Sequence, residues 1–535
     1  MKNLIFLLVF LFLVSTFISN AQTSLQWAKC FGGYGAETPA QIIQTADGGF
    51  ITIGSTTADG GDVTGLHGLS DFWLVKTDSN GILLWQKCYG GTADDKANAI
   101  DFTLDGGYII AGYTYSKNGD VTGVHDTTLN SNADYSDGWV IKIDSAGTKQ
   151  WAKCYGGYKD DVFNSITHTS DGGYIMTGST TSNDGNVSGL HQNSQDIWVL
   201  KIDSNGSIQW QKCLGGTQEE EGIKVIQIND GGYLVAGNSY SSDGDVIDHH
   251  GTNSSDFWLV KLDAAGTKKW TKSFGGPGYE SLGSMINTND DGCLMFGTTG
   301  SSTGDVFGSH GNGEAWLVKS DSLGNLVWQR CIGGSGSDEG ISLSQTSDGG
   351  YILLGMSWSQ DGEVITHNDS SEFWLVKLNS AGYMQWQEFH GGTGNETPAS
   401  VIESSDGGYA FTGFVYMNGG EVTGNHGANQ DFWVVKRYPG NTSVPEISDT
   451  IFKTSVFPNP FSTKTILFIE TKYRNYDGMV YIYDVLGREV RSSVINEPQT
   501  IINKDGLSQG VYFYKVEMNT KTNKINIATG KLVVE

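Results

Sequence analysis

From Trp210 to Gly266 the chain reads WQKCLGGTQEEEGIKVIQINDGGYLVAGNSYSSDGDVIDHHGTNSSDFWLVKLDAAG. Its apolar stretches are only a few residues long and rich in β-formers, as are Tyr108–Thr114 and Phe72–Lys76 in other copies of the unit. Between them lie D-G-G and D-S-x-G steps, such as Asp105-Gly106-Gly107 and Asp78-Ser79-Asn80-Gly81. There glycine supplies the positive φ of a hairpin turn. No segment carries a helical period. The unit therefore predicts four strands, a to d, in about sixty residues, with D-G-G between a and b, D-x-W on c and W-x-K-C on d.

Seven copies follow one another. The strand-d tryptophans are Trp27, Trp85, Trp151, Trp210, Trp270, Trp328 and Trp386, and the strand-c tryptophans are Trp73, Trp139, Trp198, Trp258, Trp316, Trp374 and Trp433. Only Trp358 stands outside the pattern. The phase of the array is informative. It opens on a lone strand d, Ser24 to Cys30, and stops on a lone strand c, Asp431 to Lys436. Closing a ring by pairing the two ends removes the open edges, whereas an open solenoid has no reason to begin and end out of phase. The expected fold class is all-β: a seven-bladed β-propeller over 22–437, its last blade closed by the N-terminal strand.

The order W…GG…D…DGGY…G…D-x-W-x-V-K resembles the SBBP-type β-propeller repeats of bacterial exported proteins, over roughly residues 23–437. That resemblance implies fold, and propellers host many unrelated activities.

Beyond Arg437 the pattern ends. Residues 438–453 read as a linker, and from Thr454 to the end of the chain (454–535) a second all-β unit is expected, a small Ig-like β-sandwich. Its landmarks are Pro458-Asn459-Pro460, then Asp484 to Val490 with Gly487, then Gly510 and Tyr512 of a G-x-Y, and a terminal Lys531-Leu532-Val533-Val534. Together they resemble the type A sorting domain of type IX secretion cargo. The resemblance implies translocation across the outer membrane by the type IX machinery. It also implies removal of the domain by a sortase-like peptidase, and release or attachment at the surface. The N-terminus agrees with export: Lys2, an apolar run from Leu4 to Phe17, and Ser19-Asn20-Ala21 ahead of Gln22 read as a signal peptide over 1–21. No later run is long enough to span a bilayer. A net charge of −26 repels phosphate backbones, which argues against nucleic acid as a partner.

Three residue sets carry candidate chemistry. An acid follows each Gly-Gly by four residues: Glu37, Asp95, Asp161, Glu220, Glu280, Asp338 and Glu396. Placed where strand d passes to strand a of the next blade, they are expected around the mouth of the axial channel. There they would hold a cation, calcium being possible, or attract a basic ligand. The alternative is that each accepts N–H bonds from its own turn. The b–c loops carry a second set, Asp62, Asp120, Asn186, Asp245, Asp305, Glu363 and Glu421, each followed by a histidine: His67, His125, His191, His249 or His250, His310, His367 and His426. One histidine and one acid per loop are few for a metal, and loop anchoring is the alternative. Third, Cys30, Cys88, Cys154, Cys213 and Cys331 share one repeat position that Ser273 and Phe389 fill elsewhere, which reads as buried free thiols. Cys293 reads as replacing the second glycine of a D-G-G turn.

A catalytic centre needs residues that break the repeat. Those present are the longer second b–c loop, Asp126 to Tyr135, with Trp358, His390 and Glu219-Glu220-Glu221. The sequence favours a non-catalytic surface or secreted scaffold that binds a glycan or a protein. It leaves open a polysaccharide- or peptide-degrading hydrolase or lyase using Asp95 or Asp161, and a structural matrix protein.

Overall fold

The computed structural model describes residues 23–126, 134–192, 194–311, 313–364, 372–427, 429–438, 452–457, 459–471, 478–484, 488–495, 497, 499–519 and 524–534. The signal peptide, most of the linker, His367, Pro458 and Gly487 lie outside the described residues.

Each repeat forms a four-stranded antiparallel sheet, and there are seven. Blade 1 consists of Glu37–Gln44, Phe50–Thr56, Asp71–Thr77 and Leu83–Tyr89 as strands a to d. The a strands of blades 2 to 7 are Asp95–Phe102, Asp161–His168, Glu220–Gln227, Glu280–Asn287, Asp338–Gln345 and Thr397–Glu403. Neighbouring a strands touch all the way round, blade 7 against blade 1 included. Blade 7 takes its fourth strand from the start of the chain: Ser24–Phe31 pairs antiparallel with Asp431–Tyr438, Cys30 opposite Trp433. Covalently distant ends thus share one sheet, as the phase of the repeats requires.

Why these residues make blades follows from which side chains lose water. Strands b and c are buried along almost their whole length, so both faces need apolar residues. The strand-c tryptophans are at most 1% exposed. The residue before each is often Phe, and it packs on the tryptophan of the next blade: Phe72 on Trp139 at 4.6 Å, Phe257 on Trp316 at 4.9 Å, and across the closure Phe432 on Trp73 at 4.6 Å. The lysine of W-x-V-K is buried too, only partly so at Lys142 and Lys261. In all seven blades its Nζ reaches the aspartate of the D-G-G turn at 2.5–3.0 Å, from Lys76–Asp47 to Lys436–Asp406, so the turn and strand c are stapled by charge.

One cysteine is placed differently from expectation. Cys293 opens strand b of blade 5, the site of Tyr or Phe elsewhere, and Asp291 stands in for the first glycine of that turn with φ at 61°. Aspartate tolerates this left-handed conformation better than most residues, which is why the turn survives. The six cysteines are all free. Burial pushes the thiols of Cys30, Cys213 and Cys331 up to about 12, so they serve as packing groups and not as thiolates.

The C-terminal unit, Thr442–Glu535, is compact by itself. A three-stranded sheet (Phe452–Phe457, Lys464–Thr471, Gln499–Asn503) and a four-stranded one (Glu489–Ile495, Gly478–Tyr483, Gly510–Asn519, Lys524–Val534) enclose Leu467, Ile469, Val480, Ile482, Val516 and Leu532. Its sequence landmarks converge. Asn459 Nδ2 donates to the Lys531 carbonyl at 2.7 Å, and the Val533 N–H donates to Asn459 Oδ1 at 2.8 Å. Gly510 and Tyr512 lie opposite Val534 and Leu532 in the sheet.

Candidate functional site

The seven acids after Gly-Gly sit at the top of each strand a, but their side chains turn into the blade junction instead of toward the channel. Glu37, Asp95, Asp161, Glu220, Glu280, Asp338 and Glu396 are at most 1% exposed. Each accepts the N–H of the second glycine of its own turn at 2.7–3.0 Å. Hydroxyls at the end of strand b complete the cage: Thr114 and Ser116 around Asp95, Thr180 and Ser182 around Asp161.

A second ring faces the first, made by the acid of D-x-W: Asp71, Asp137, Asp196, Asp256, Glu314, Glu372 and Asp431, all buried. The sequence announces it only as a repeated letter at the head of strand c. Nothing in the sequence says that it meets the acid of the next blade. The two rings meet at the first glycine of Gly-Gly. A Cβ placed on Gly90 would lie 2.5 Å from Asp71 Oδ1 and 2.5 Å from Asp95 Oδ2, and one on Gly275 the same from Asp256 and Glu280. Glycine is required there by this close approach. Among the described residues, Asp71, Asp137, Asp196 and Asp256 each keep one buried oxygen without a hydrogen-bond partner. Burial pushes Asp95 up to about 6, and Asp161, Glu280 and Glu396 up to about 7, with the nearby second acid adding to the rise. As pH falls through those values, such a pair takes up a proton.

The b–c loop residues bind the ring together. Asp62, Asp120, Asn186, Asp245, Asp305, Glu363 and Glu421 each donate their N–H to the first Gly-Gly carbonyl of the preceding blade, at 2.7–3.0 Å. The histidines cap the strand-c acids. Nδ1 of His67, His125, His191, His250 and His426 lies 2.6–2.8 Å from Asp71, Asp137, Asp196, Asp256 and Asp431. Of the two candidates in blade 4, His250 holds this place. The Nδ1 of His310 is 3.5 Å from Glu314. On the far side, Nε2 of His426 reaches Asp62 of blade 1 at 3.5 Å, and His250 reaches Asp305 at 3.6 Å, so each such histidine bridges two blades. Among the described residues, no three His, Cys, Asp or Glu side chains are grouped to hold a metal ion.

What this loop face offers to solvent is different. Strand direction puts the d–a and b–c loops at the same end of the ring. Tyr34, Tyr158, Tyr279, Trp358 and Met417 are exposed there, at 42–72%. Some pair between loops, Tyr135 with Tyr158 at 6.0 Å and Tyr240 with Tyr279 at 6.5 Å. Notches open beside them: one of about 340 Å³ lined by Ser194, Thr217, Gln218, Glu219 and Tyr240, and one of about 210 Å³ lined by Tyr158, Lys159, Thr181, Ser182, Asn183 and Asp184. Of the asymmetric residues in the sequence, Tyr135, Trp358 and Glu219 belong to this face. A Gly300-Ser301-Ser302-Thr303-Gly304 run lies in a b–c loop, without the strand-to-helix turn that exposes a nucleophilic serine.

Residues 455–534 match the family described as Secretion system C-terminal sorting domain. The chain is an exported β-propeller protein with a type IX sorting tail. The tail directs it to the cell surface or the extracellular space and implies contact with the type IX machinery. Among the described residues, no helix is long and apolar enough to cross a membrane. The regulatory protein FlaEY of Caulobacter vibrioides is 24% identical over 407 residues, covering 70% of this chain and 42% of its own length. The chain thus spans under half the length of that relative. Similar solved structures include Kuenenia stuttgartiensis hydrazine synthase (TM-score 0.42, 11% identity, 70% of this chain and 92% of that one). Others are the Neurospora crassa Pan2 WD40 domain (0.40, 10%, 75% and 89%) and PorZ of Porphyromonas gingivalis (0.26, 11%, 93% and 81%).

Proposed function

We propose that the exported propeller is a non-catalytic binding scaffold that takes an extracellular glycan on its d–a/b–c loop face. The observation that carries this reading is the set of exposed tyrosines and Trp358 beside polar notches, all at one end of the ring. Aromatic faces stack on the apolar faces of sugars at little entropic cost, while hydroxyl, amide and carboxylate groups in the notches fix orientation. The junction carboxylates support the same reading by their enclosure. A general acid must reach the bond it protonates, and Asp95 and Asp161 are fully buried.

The test is titration calorimetry of the full chain against soluble extracellular polysaccharides, repeated with Tyr158→Ala and Tyr279→Ala. The reading expects saturable binding that weakens at least tenfold in one or both variants. Turnover of a defined glycan by the purified protein would overturn it, and binding of a protein ligand alone would replace the glycan.

A further inference from the structure

Every strand a carries a β-bulge at the same repeat position, between the second and fourth residues after the junction acid, as at Gly222/Lys224 and Leu282/Ser284. A bulge breaks the alternation of side chains and re-aims the residue after it. In this ring the re-aimed residues and their neighbours line an axial cavity of about 270 Å³, to which all seven blades contribute. Its polar lining includes Gln41, Asn98, Asn164, Ser284, Ser342 and Lys224.

Several of these groups are engaged in joining the blades. Gln41 Oε1 accepts the Ile100 N–H at 3.0 Å, Asn98 Nδ2 donates to the Phe163 carbonyl at 2.9 Å, and Ser342 Oγ accepts the Val401 N–H at 3.2 Å. Lys224 is the exception. It is the lone cation in the lining, and among the described residues its Nζ makes no hydrogen bond and no ion pair. The acid whose charge it feels, Asp101, is already bonded by His168 at 2.8 Å. Beside the cavity, the Asn164 amide donates to Glu221 at 3.3 Å.

We infer that the axial channel is a binding site for one carboxylate, on a small acid or on the end of an acidic sugar chain, with Lys224 as its counter-ion. A half-buried ammonium without a partner is costly, and an entering carboxylate removes that cost while serine hydroxyls and amide groups satisfy its other lone pairs. A single positive charge in the lining favours a monoanion over a dianion. The volume is near the small end of ligand sites, which suits a molecule of sugar size. This site is independent of the loop face, so either can fail without the other.

Calorimetric titration of the full chain at pH 7 with acetate, glucuronate, glucose and inorganic phosphate tests it. Acetate and glucuronate should bind saturably and glucose should not. Lys224→Met should weaken glucuronate at least tenfold, and Lys224→Arg should retain most of the affinity. Ser284→Phe, which fills the cavity and leaves the charge, should exclude glucuronate. Lys224→Met removes an unpaired charge, so its melting temperature should equal or exceed that of the parent and a folding defect will not mask the result. An oligouronate binding more tightly than the monomer assigns a chain end, and exclusion of the oligomer assigns a free acid. Absence of saturable carboxylate binding, unchanged binding in Lys224→Met, or phosphate binding more tightly than carboxylate overturns the proposal.

Discussion

Six of the seven blade junctions follow one residue pattern, and the junction between blades 6 and 7 departs from it at, among others, three positions that meet in space. Where the other d strands carry Lys29, Lys87, Lys153, Lys212, Lys272 and Arg330, blade 6 has Glu388. Where they end in Phe31, Tyr89, Tyr155, Leu214, Phe274 and Ile332, it has His390. Where the other c strands end in Thr, Ile, Leu or Ser, blade 7 has Arg437. These three side chains meet in one buried cluster with Glu421 and Thr23. Arg437 Nε donates to Thr23 Oγ1 at 2.5 Å and Nη2 to the Thr23 carbonyl at 2.8 Å. Thr23 donates from its N–H and its hydroxyl to Glu388. His390 lies 3.2 Å from Glu388 and 3.1 Å from Glu421.

The difference coincides with the one place where a blade is completed by a strand not connected to it by a hairpin. In blades 1 to 6 a short turn fixes how strand d pairs with strand c. In blade 7 no turn does so, and a slip of one residue would reverse every inward side chain of Ser24–Phe31. The charged cluster grips the residue just before that strand from both neighbouring blades, which supplies the register that a hairpin supplies elsewhere.

The largest effect should come from removing the closing strand. Deleting residues 23–31 exposes the edge of Asp431–Tyr438 and should abolish the folded monomer, seen as aggregation in size-exclusion chromatography. A monomer that melts like the parent would mean that the ring does not depend on closure. Next, Arg437→Leu leaves Glu388 buried without its cation and should cost about 3–5 kcal/mol in urea unfolding. Glu388→Lys, His390→Phe and Arg437→Leu together turn the seam into an ordinary junction and should recover much of that loss. If the triple variant is no more stable than the single one, the cluster is not a replaceable alternative to the repeated contacts.

The junction carboxylates set the third expectation. Their folded pKa values lie above the unfolded ones: from 3.8 to about 6 for Asp95 and about 7 for Asp161, and from 4.5 to about 7 for Glu280 and Glu396. Stability from these groups is fully present below the unfolded values and is lost as pH rises through the folded ones. The melting temperature should therefore fall between about pH 4 and pH 7 by this contribution. Asp47, Asp171 and Asp290 act in the opposite sense. Their pKa values are held down to about 2 by hydroxyl and glycine N–H bonds and by their lysines, against the pull of burial, so their contribution is lost as pH falls from about 4 toward 2. A melting profile flat from pH 4 to 7 would show that the paired acids are not desolvated in solution. The smallest effect belongs to Lys87→Glu, which puts the seam's acid into an ordinary junction. Lys87 is exposed, and the change should stay within about 0.5 kcal/mol. A larger loss would mean that the strand-d lysines do more than face solvent.

Much of this molecule was legible in the sequence because its signals are local and repeated. The strands, the D-G-G turns, the seven units and the closure by Ser24–Phe31 follow from spacing, since the period of the repeat and its phase are properties of the chain itself. The sorting tail was legible from the order of its landmarks. What the sequence could not decide is direction. Asp95 and its counterparts stand at the head of strand a, and only packing turns them into the junction against Asp71 and its ring and away from the channel. The bulge before Lys224 breaks the alternation from which a side chain's face would be read, so its place in the channel belongs to the tertiary structure. The same holds for Thr23, Glu388 and Arg437. Glu388 and Arg437 visibly depart from the repeat, but nothing in their segments says that they meet Thr23, and the cluster exists only because ring closure brings positions more than 360 residues apart within hydrogen-bond reach. Spacing along a chain fixes what recurs, but contacts between distant segments are fixed by which arrangement buries apolar surface without stranding a charge.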